Sequence, residues 1–121
     1  MTNPPTLYIS QRYLTMVQTI LHQHLPYAEV WAYGSRVRGD HHDTSDLDLV
    51  VRTPEALAQP CHKLADVVEA FSQSNLPLMV QITDWARIPQ AFHDEILVGY
   101  VVLKTAAGES LEGLANIRAL L

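Results

Sequence analysis

The sequence predicts an α/β (α+β) layered domain, a small sheet with helices packed on it. Apolar residues recur at helical spacing in some segments, and shorter runs between them alternate with period two. These segments follow one another as helix, strand, strand, helix, strand, helix and a tail. The chain of 121 residues is expected to form a single domain, 1–121. A chain of that length buries well over half of its unfolded surface.

Met1 to Thr6 carries Pro4 and Pro5, and residues 1–8 are expected to form a loose arm. From Ser10 onward, Tyr13, Leu14, Val17, Ile20 and Leu21 follow helical spacing, with Ser10 placed as the cap and Pro26 as the stop. Ala28 to Tyr33 reads as a strand that ends at Gly34-Ser35, and Arg36 to Gly39 starts a short helix. Asp40 to Thr44 is polar and loop-like. Asp46 to Arg52 reads as a second strand. Side chains alternate along it, so Leu47, Leu49 and Val51 share one face while Asp46, Asp48 and Val50 share the other.

Leu57, Cys61, Leu64, Val68 and Phe71 step by four, three, four and three residues, the pattern of an amphipathic helix. Pro60 marks its start or an early kink. Asn75-Leu76-Pro77 breaks the chain, and Leu78 to Thr83 reads as a third strand with Met79, Gln81 and Thr83 on one face. Pro89 opens a helix carrying Phe92, Ile96 and Leu97; Gly99 ends it, and Tyr100 to Leu103 is extended. Residues 106–121 form a tail, expected to be helical from the spacing of Leu111, Leu114, Ile117 and Leu121.

The net charge of −5 argues against sequence-independent binding of DNA or RNA, which depends on neutralising phosphates with Lys and Arg. A small anionic ligand held by metal ions and a few local donors is compatible with it. No apolar run reaches the roughly 18–20 residues of a membrane span, so no membrane association is expected. Met1 to Ser10 lacks the basic-then-apolar order of a secretory leader. Cys61 is the only cysteine, which rules out an internal disulfide, and the cytoplasm is the expected compartment.

The informative stretch is Gly34-Ser35-Arg36-Val37-Arg38-Gly39 followed by Ser45-Asp46-Leu47-Asp48-Leu49. Carboxylates at i and i+2 of a strand project from one face and repel unless a cation lies between them. Mg²⁺ takes hard oxygen ligands and commonly binds one or two carboxylates together with substrate phosphates. A glycine turn between a strand and a helix lets the backbone approach phosphate closely. Ser35 can donate to a phosphate oxygen, and Arg36 or Arg38 can add positive charge. Each piece alone is common in turns and on strand faces; their joint occurrence in this order is far more specific.

Gly-Ser-Arg-x-Arg-Gly, a short polar spacer and Ser-Asp-x-Asp-Leu resemble the signature of the DNA polymerase beta-like nucleotidyltransferase superfamily, nearest to its minimal nucleotidyltransferases (MNT). Val80-Gln81-Ile82-Thr83-Asp84-Trp85, with Phe92 and Ile96 following, also looks like that family, so the resemblance runs from the first helix to Tyr100. It implies a small mixed β-sheet with flanking helices. It also implies that Gly34 and Ser35 hold triphosphate, with Arg36, Arg38 and Ser45 in the nucleotide-binding set. Asp46 and Asp48 become the catalytic carboxylates that bind Mg²⁺. The family usually carries a third carboxylate on a later strand; here Gln81 lines up with it, and Gln81 cannot act as a carboxylate base. Asp84 is the one nearby substitute, reachable through a bulge or the strand's end.

The implied reaction is transfer of a nucleoside monophosphate, AMP from ATP, onto a hydroxyl. Minimal nucleotidyltransferases often act as antitoxins of HEPN-domain ribonuclease toxins, some by modifying a toxin tyrosine. The small size of this chain suits a partner that delivers its own acceptor. The alternative is a catalytically degenerate protein that masks its partner by binding, and a third option is transfer to a small molecule. The apolar tail and the aromatic residues suit a homodimer or a hetero-oligomer. Arg52 and Lys104 are expected at the surface, and His41 and His42 in a solvated loop. His22 and His24 are expected near a helix end and Cys61 as a packed thiol. Trp31, Trp85 and Tyr100 are expected in the core or an interface.

Overall fold

The computed structural model of the chain describes residues 6–39, 45–106 and the backbone of 117–120. β1 (Leu7–Ser10) leads directly into α1 (Gln11–His24). The Ser10 hydroxyl accepts from the Tyr13 N–H at 3.3 Å, satisfying one of the donors that a helix start leaves free. Leu14, Val17 and Leu21 form the buried stripe of α1. The Leu25 N–H closes on the Leu21 carbonyl, and Pro26, which has no N–H, follows.

β2 (Glu29–Tyr33), α2 (Ser35–Arg38), β3 (Leu47–Arg52), α3 (Leu64–Ser72) and β4 (Val80–Asp84) follow, then a 3₁₀ turn (Trp85–Arg87), α4 (Gln90–Val98), β5 (Val101–Lys104) and β6 (Ile117–Leu120). One sheet has the order β4-β3-β2-β5. β2 is antiparallel to β3 and to β5, while β3 and β4 are parallel. A parallel pair needs a crossover connection, and the segment holding α3 supplies it. The result is a small mixed sheet with flanking helices, as the resemblance implies.

The two faces of this sheet build two cores. Leu47, Leu49 and Val51 join Val30, Ala32, Leu103 and the buried stripes of α1 and α3. Each large apolar side chain, fully buried, contributes about 1.5–3 kcal/mol. On the opposite face Val50 packs with Trp31, Trp85 and Ile96, edged by Tyr33, Phe92 and Tyr100. Trp31 stacks on Tyr100 with ring centroids 3.8 Å apart. Trp31 and Trp85 are thus core residues, and Tyr100 packs against them.

Several elements depart from the sequence expectation. The loose arm gives way at Leu7, where β1 begins with Leu7 and Ile9 buried and their neighbours half-buried. Its pairing partner is β6, parallel and at the far end of the chain, so local pattern could not reveal it. Residues 117–120 are extended where a helical tail was expected. The backbone groups of β1 supply the pairing that the local helical spacing ignores. Residues 1–5, the loop 40–44 with His41 and His42, and 107–116 and 121 lie outside the described residues.

The third helix starts at Leu64, not near Leu57 or Pro60. Leu57 is exposed and Cys61 sits in a turn, where its N–H donates to the Asp84 carboxylate at 2.7 Å. The buried face is therefore Leu64, Val67 and Phe71, and Val68 points to solvent. The third strand begins two residues later than expected. Arg52 and Lys104 are not surface charges. Arg52 pairs with Glu29 and lies over the Trp31 and Trp85 rings, 4.0 and 4.6 Å from their centroids. Lys104 is 1% exposed, and its Nζ donates to the carbonyls of Pro26, Ala28 and Thr105 at 3.3, 2.7 and 3.0 Å. Burial holds its pKa below the ordinary lysine value.

Candidate active site

The site lies at one end of the second sheet face, where β2 stops and β3 and β4 begin. β2 ends at Tyr33, and Gly34 turns the chain into α2 with φ 85° and ψ −156°. That conformation is essentially restricted to glycine. Space imposes the same choice. A Cβ on Gly34 would fall on the Asp48 carboxylate, with its carboxyl carbon only 3.2 Å away. The Val37 and Arg38 N–H groups both reach the Gly34 carbonyl at 3.0 Å, and the Gly39 N–H closes α2 on the Ser35 carbonyl.

Tyr33 faces Asp48 across the β2–β3 pair, and Asp48 faces Gln81 across the β3–β4 pair. Side chains in register share a face, so Asp48, Tyr33 and Gln81 converge. Asp46, just before β3, joins them: the Gln81 Nε2 donates to its Oδ2 at 3.1 Å. Burial raises the Asp48 pKa, and the Asp46 charge raises it further, while Arg38 opposes both. Tyr33 was not singled out as a site residue by sequence reasoning. Burial raises its phenol pKa, a hydrogen bond with Thr83 lowers it, and the Asp48 charge raises it again. Phe92 of α4 meets the Tyr33 ring edge-on at 5.8 Å and flanks this end of the sheet. The position of Tyr33 next to Gly34 was visible in the sequence; the strand register that sets it beside Asp48 was not.

The remaining expected site residues divide. Arg38 is exposed at the end of α2 and acts electrostatically on Asp48. Ser35 opens α2 beside Gly34. Arg36 is buried instead of facing a ligand. Its Nε donates to the Ser45 carbonyl and its Nη1 to the Tyr8 carbonyl, both at 3.0 Å. It therefore ties β1 to the segment that carries Asp46, and Ser45 takes part through its backbone. Asp84 is not brought to the site. It pairs with Val51, three positions along from the Asp48–Gln81 pair. Its buried carboxylate accepts from the Cys61 and Ala86 N–H groups and lies 3.5 Å from the Arg87 Nε. It caps the 3₁₀ turn.

The donor set fits a hard divalent cation. Two carboxylates stand close enough for one to disfavour ionisation of the other, which is the condition a cation between them relieves. The Gly34 backbone lies directly against the Asp48 carboxylate, so the glycine turn and the carboxylate pair meet at one place. Phosphoryl-group chemistry relies mainly on such positioning and on charge stabilisation.

Residues 14–100 match the family described as nucleotidyltransferase domain. The chain is 42% identical over 106 residues to the probable protein adenylyltransferase MntA of Haemophilus influenzae, covering 86% of this chain and 90% of that protein. Its fold also resembles a chain in a crystal structure of a toxin–antitoxin with AMP-PNP. There the TM-score is 0.62 at 16% identity, covering 78% of this chain and 74% of the other.

Proposed function

The chain belongs to the nucleotidyltransferase domain family, and on that premise we propose that it moves AMP from ATP onto a tyrosine hydroxyl of a helical HEPN-domain toxin, acting as its antitoxin. The observation that carries the reading is the contact of the Gly34 backbone with Asp48, with Asp46 alongside. It brings a backbone turn of the kind that approaches phosphate against two carboxylates suited to a divalent cation. The name of the relative from Haemophilus influenzae supports a protein acceptor and an adenylyl group. The toxin–antitoxin neighbour with AMP-PNP supports a toxin as the partner and an adenine nucleotide as the donor.

In this reaction the acceptor oxygen bonds to the α-phosphorus as the bond to the leaving pyrophosphate breaks. The Gly34 turn and the Ser35 hydroxyl hold the triphosphate. Asp46 and Asp48 would hold Mg²⁺, which when bound would neutralise polyphosphate charge. Arg38, exposed beside Asp48, adds positive charge near the phosphates. Gln81 cannot take the acceptor's proton, so that proton leaves to water or to a base on the acceptor protein.

Co-expression with the helical partner, followed by intact-mass measurement of that partner, tests this reading. One AMP increment is expected with the wild-type chain and none with Asp48→Asn. A partner that is neutralised but never modified would establish masking by binding, the reading that the uncharged Gln81 amide favours.

A further inference from the structure

Gln81 does more than leave out a charge. Its amide nitrogen sits 3.1 Å from the Asp46 Oδ2. That end of the amide must be the NH₂ group, since a carbonyl oxygen would repel a carboxylate. One oxygen of Asp46 is therefore already engaged by a donor. This donor carries partial positive charge and stands on the β4 side of the carboxylate pair. Among the described residues, no group of three or more His, Cys, Asp and Glu side chains comes together. Asp84 cannot supply the missing charge, being buried and bonded to the Cys61 and Ala86 N–H groups.

From this arrangement we propose that the site holds one divalent cation, not two, and that Gln81 sets this number by occupying with its amide the place of a second ion. The inference rests on the proposed nucleotidyl-transfer reading and deepens it. A second divalent cation would find no further carboxylate among the described residues and an N–H donor in its path. Gln81 is thus a positioning residue. It restrains Asp46 through this hydrogen bond on the β4 side of the pair.

The test counts ions directly. The purified chain is saturated with α,β-methylene ATP, which blocks transfer, and titrated with Mn²⁺ while free and bound ion are measured by electron paramagnetic resonance. Two Mn²⁺ ions about 3.5–4 Å apart, the spacing of two-metal sites, couple magnetically and change the spectrum. The wild type is expected to bind one Mn²⁺ with an uncoupled spectrum. Gln81→Glu keeps the size of the side chain and supplies the charge, so it is expected to bind two with a coupled spectrum; Gln81→Asp provides the same test with a shorter side chain. Gln81→Leu is expected to keep one ion with affinity reduced roughly fivefold, the value of a single hydrogen bond. Two coupled ions in the wild type would overturn this inference while leaving the transfer reading intact. One ion in both carboxylate variants would also overturn it, by removing Gln81 as the determinant. No Mn²⁺ at all in the wild type would overturn both readings.

Discussion

Replacing Gly34 with alanine tests the site at its tightest contact. At φ 85° and ψ −156° a residue with a Cβ is strained by on the order of 1–3 kcal/mol. For a domain of this size that strain lowers Tm by roughly 4–12 °C. The added methyl also meets the Asp48 carboxylate, which must move aside. A displacement near 1 Å in a catalytic group lowers rates by about a hundredfold, so AMP transfer is expected to fall at least that far. Gly39→Ala is the control. Gly39 also has positive φ, at 90°, but its added Cβ would lie 3.6 Å from the Tyr8 ring, an ordinary contact. It is expected to lose about 1–2 kcal/mol of stability and no transfer rate. Thermal unfolding and intact-mass transfer assays on both variants separate strain from collision. A double-mutant cycle isolates the contact: Gly34→Ala in an Asp48→Ala background should be less destabilising by about 0.5–3 kcal/mol. Wild-type transfer by Gly34→Ala, or an equal loss of rate in Gly39→Ala, would refute the reasoning.

Further outcomes follow from the charges and the struts. The folded-state pKa of Asp48 lies above its ordinary value of 3.8, so ionisation of Asp48 opposes folding. That opposition is present above the folded pKa and vanishes as pH falls toward the ordinary one. Metal-free Asp48→Asn is therefore expected to unfold at higher temperature than the wild type at pH 7, with the difference closing in acid; an Asp48→Asn chain that is less stable at pH 7 would contradict this. Adding Mg²⁺ and nucleotide should reverse the order, because only the wild type gains the binding energy. Arg36→Ala removes two charge-assisted hydrogen bonds, to the Ser45 and Tyr8 carbonyls, at a cost of on the order of 2–4 kcal/mol in urea unfolding. A loss below about 0.5 kcal/mol, the level of an ordinary surface change, would remove its role as a strut.

The candidate site could be drawn from the sequence because the residues proposed for it are local. Gly34-Ser35 and Asp46-Leu47-Asp48 lie within one short stretch, and strand alternation alone puts both carboxylates on one face. Gln81 was found through the resemblance, and the parallel register of β3 and β4 sets it opposite Asp48. Arg36 illustrates what was not legible. An arginine beside a phosphate turn reads as a ligand, and only the arrival of β1 behind α2 reveals the two carbonyls that engage it. β1 and β6 were missed for the same reason, since each finds its partner at the other end of the chain. Arg52 and Lys104 were misplaced because their neutralisation is tertiary: an ion pair with Glu29 between two indoles, and a ring of backbone carbonyls. Helix α3 was drawn too long because Leu57 and Cys61 fit its period by chance while the chain around Pro60 turns.

Proposed nucleotidyl transfer through Asp46 and Asp48 is tested most directly by incubating the purified chain and its helical partner with Mg²⁺ and ATP labelled at either the α- or the γ-phosphate. Label is expected on the partner from α-labelled ATP only, lost on adding EDTA and absent with Asp48→Asn. Label from γ-labelled ATP, or α-label that persists in Asp48→Asn, would contradict it.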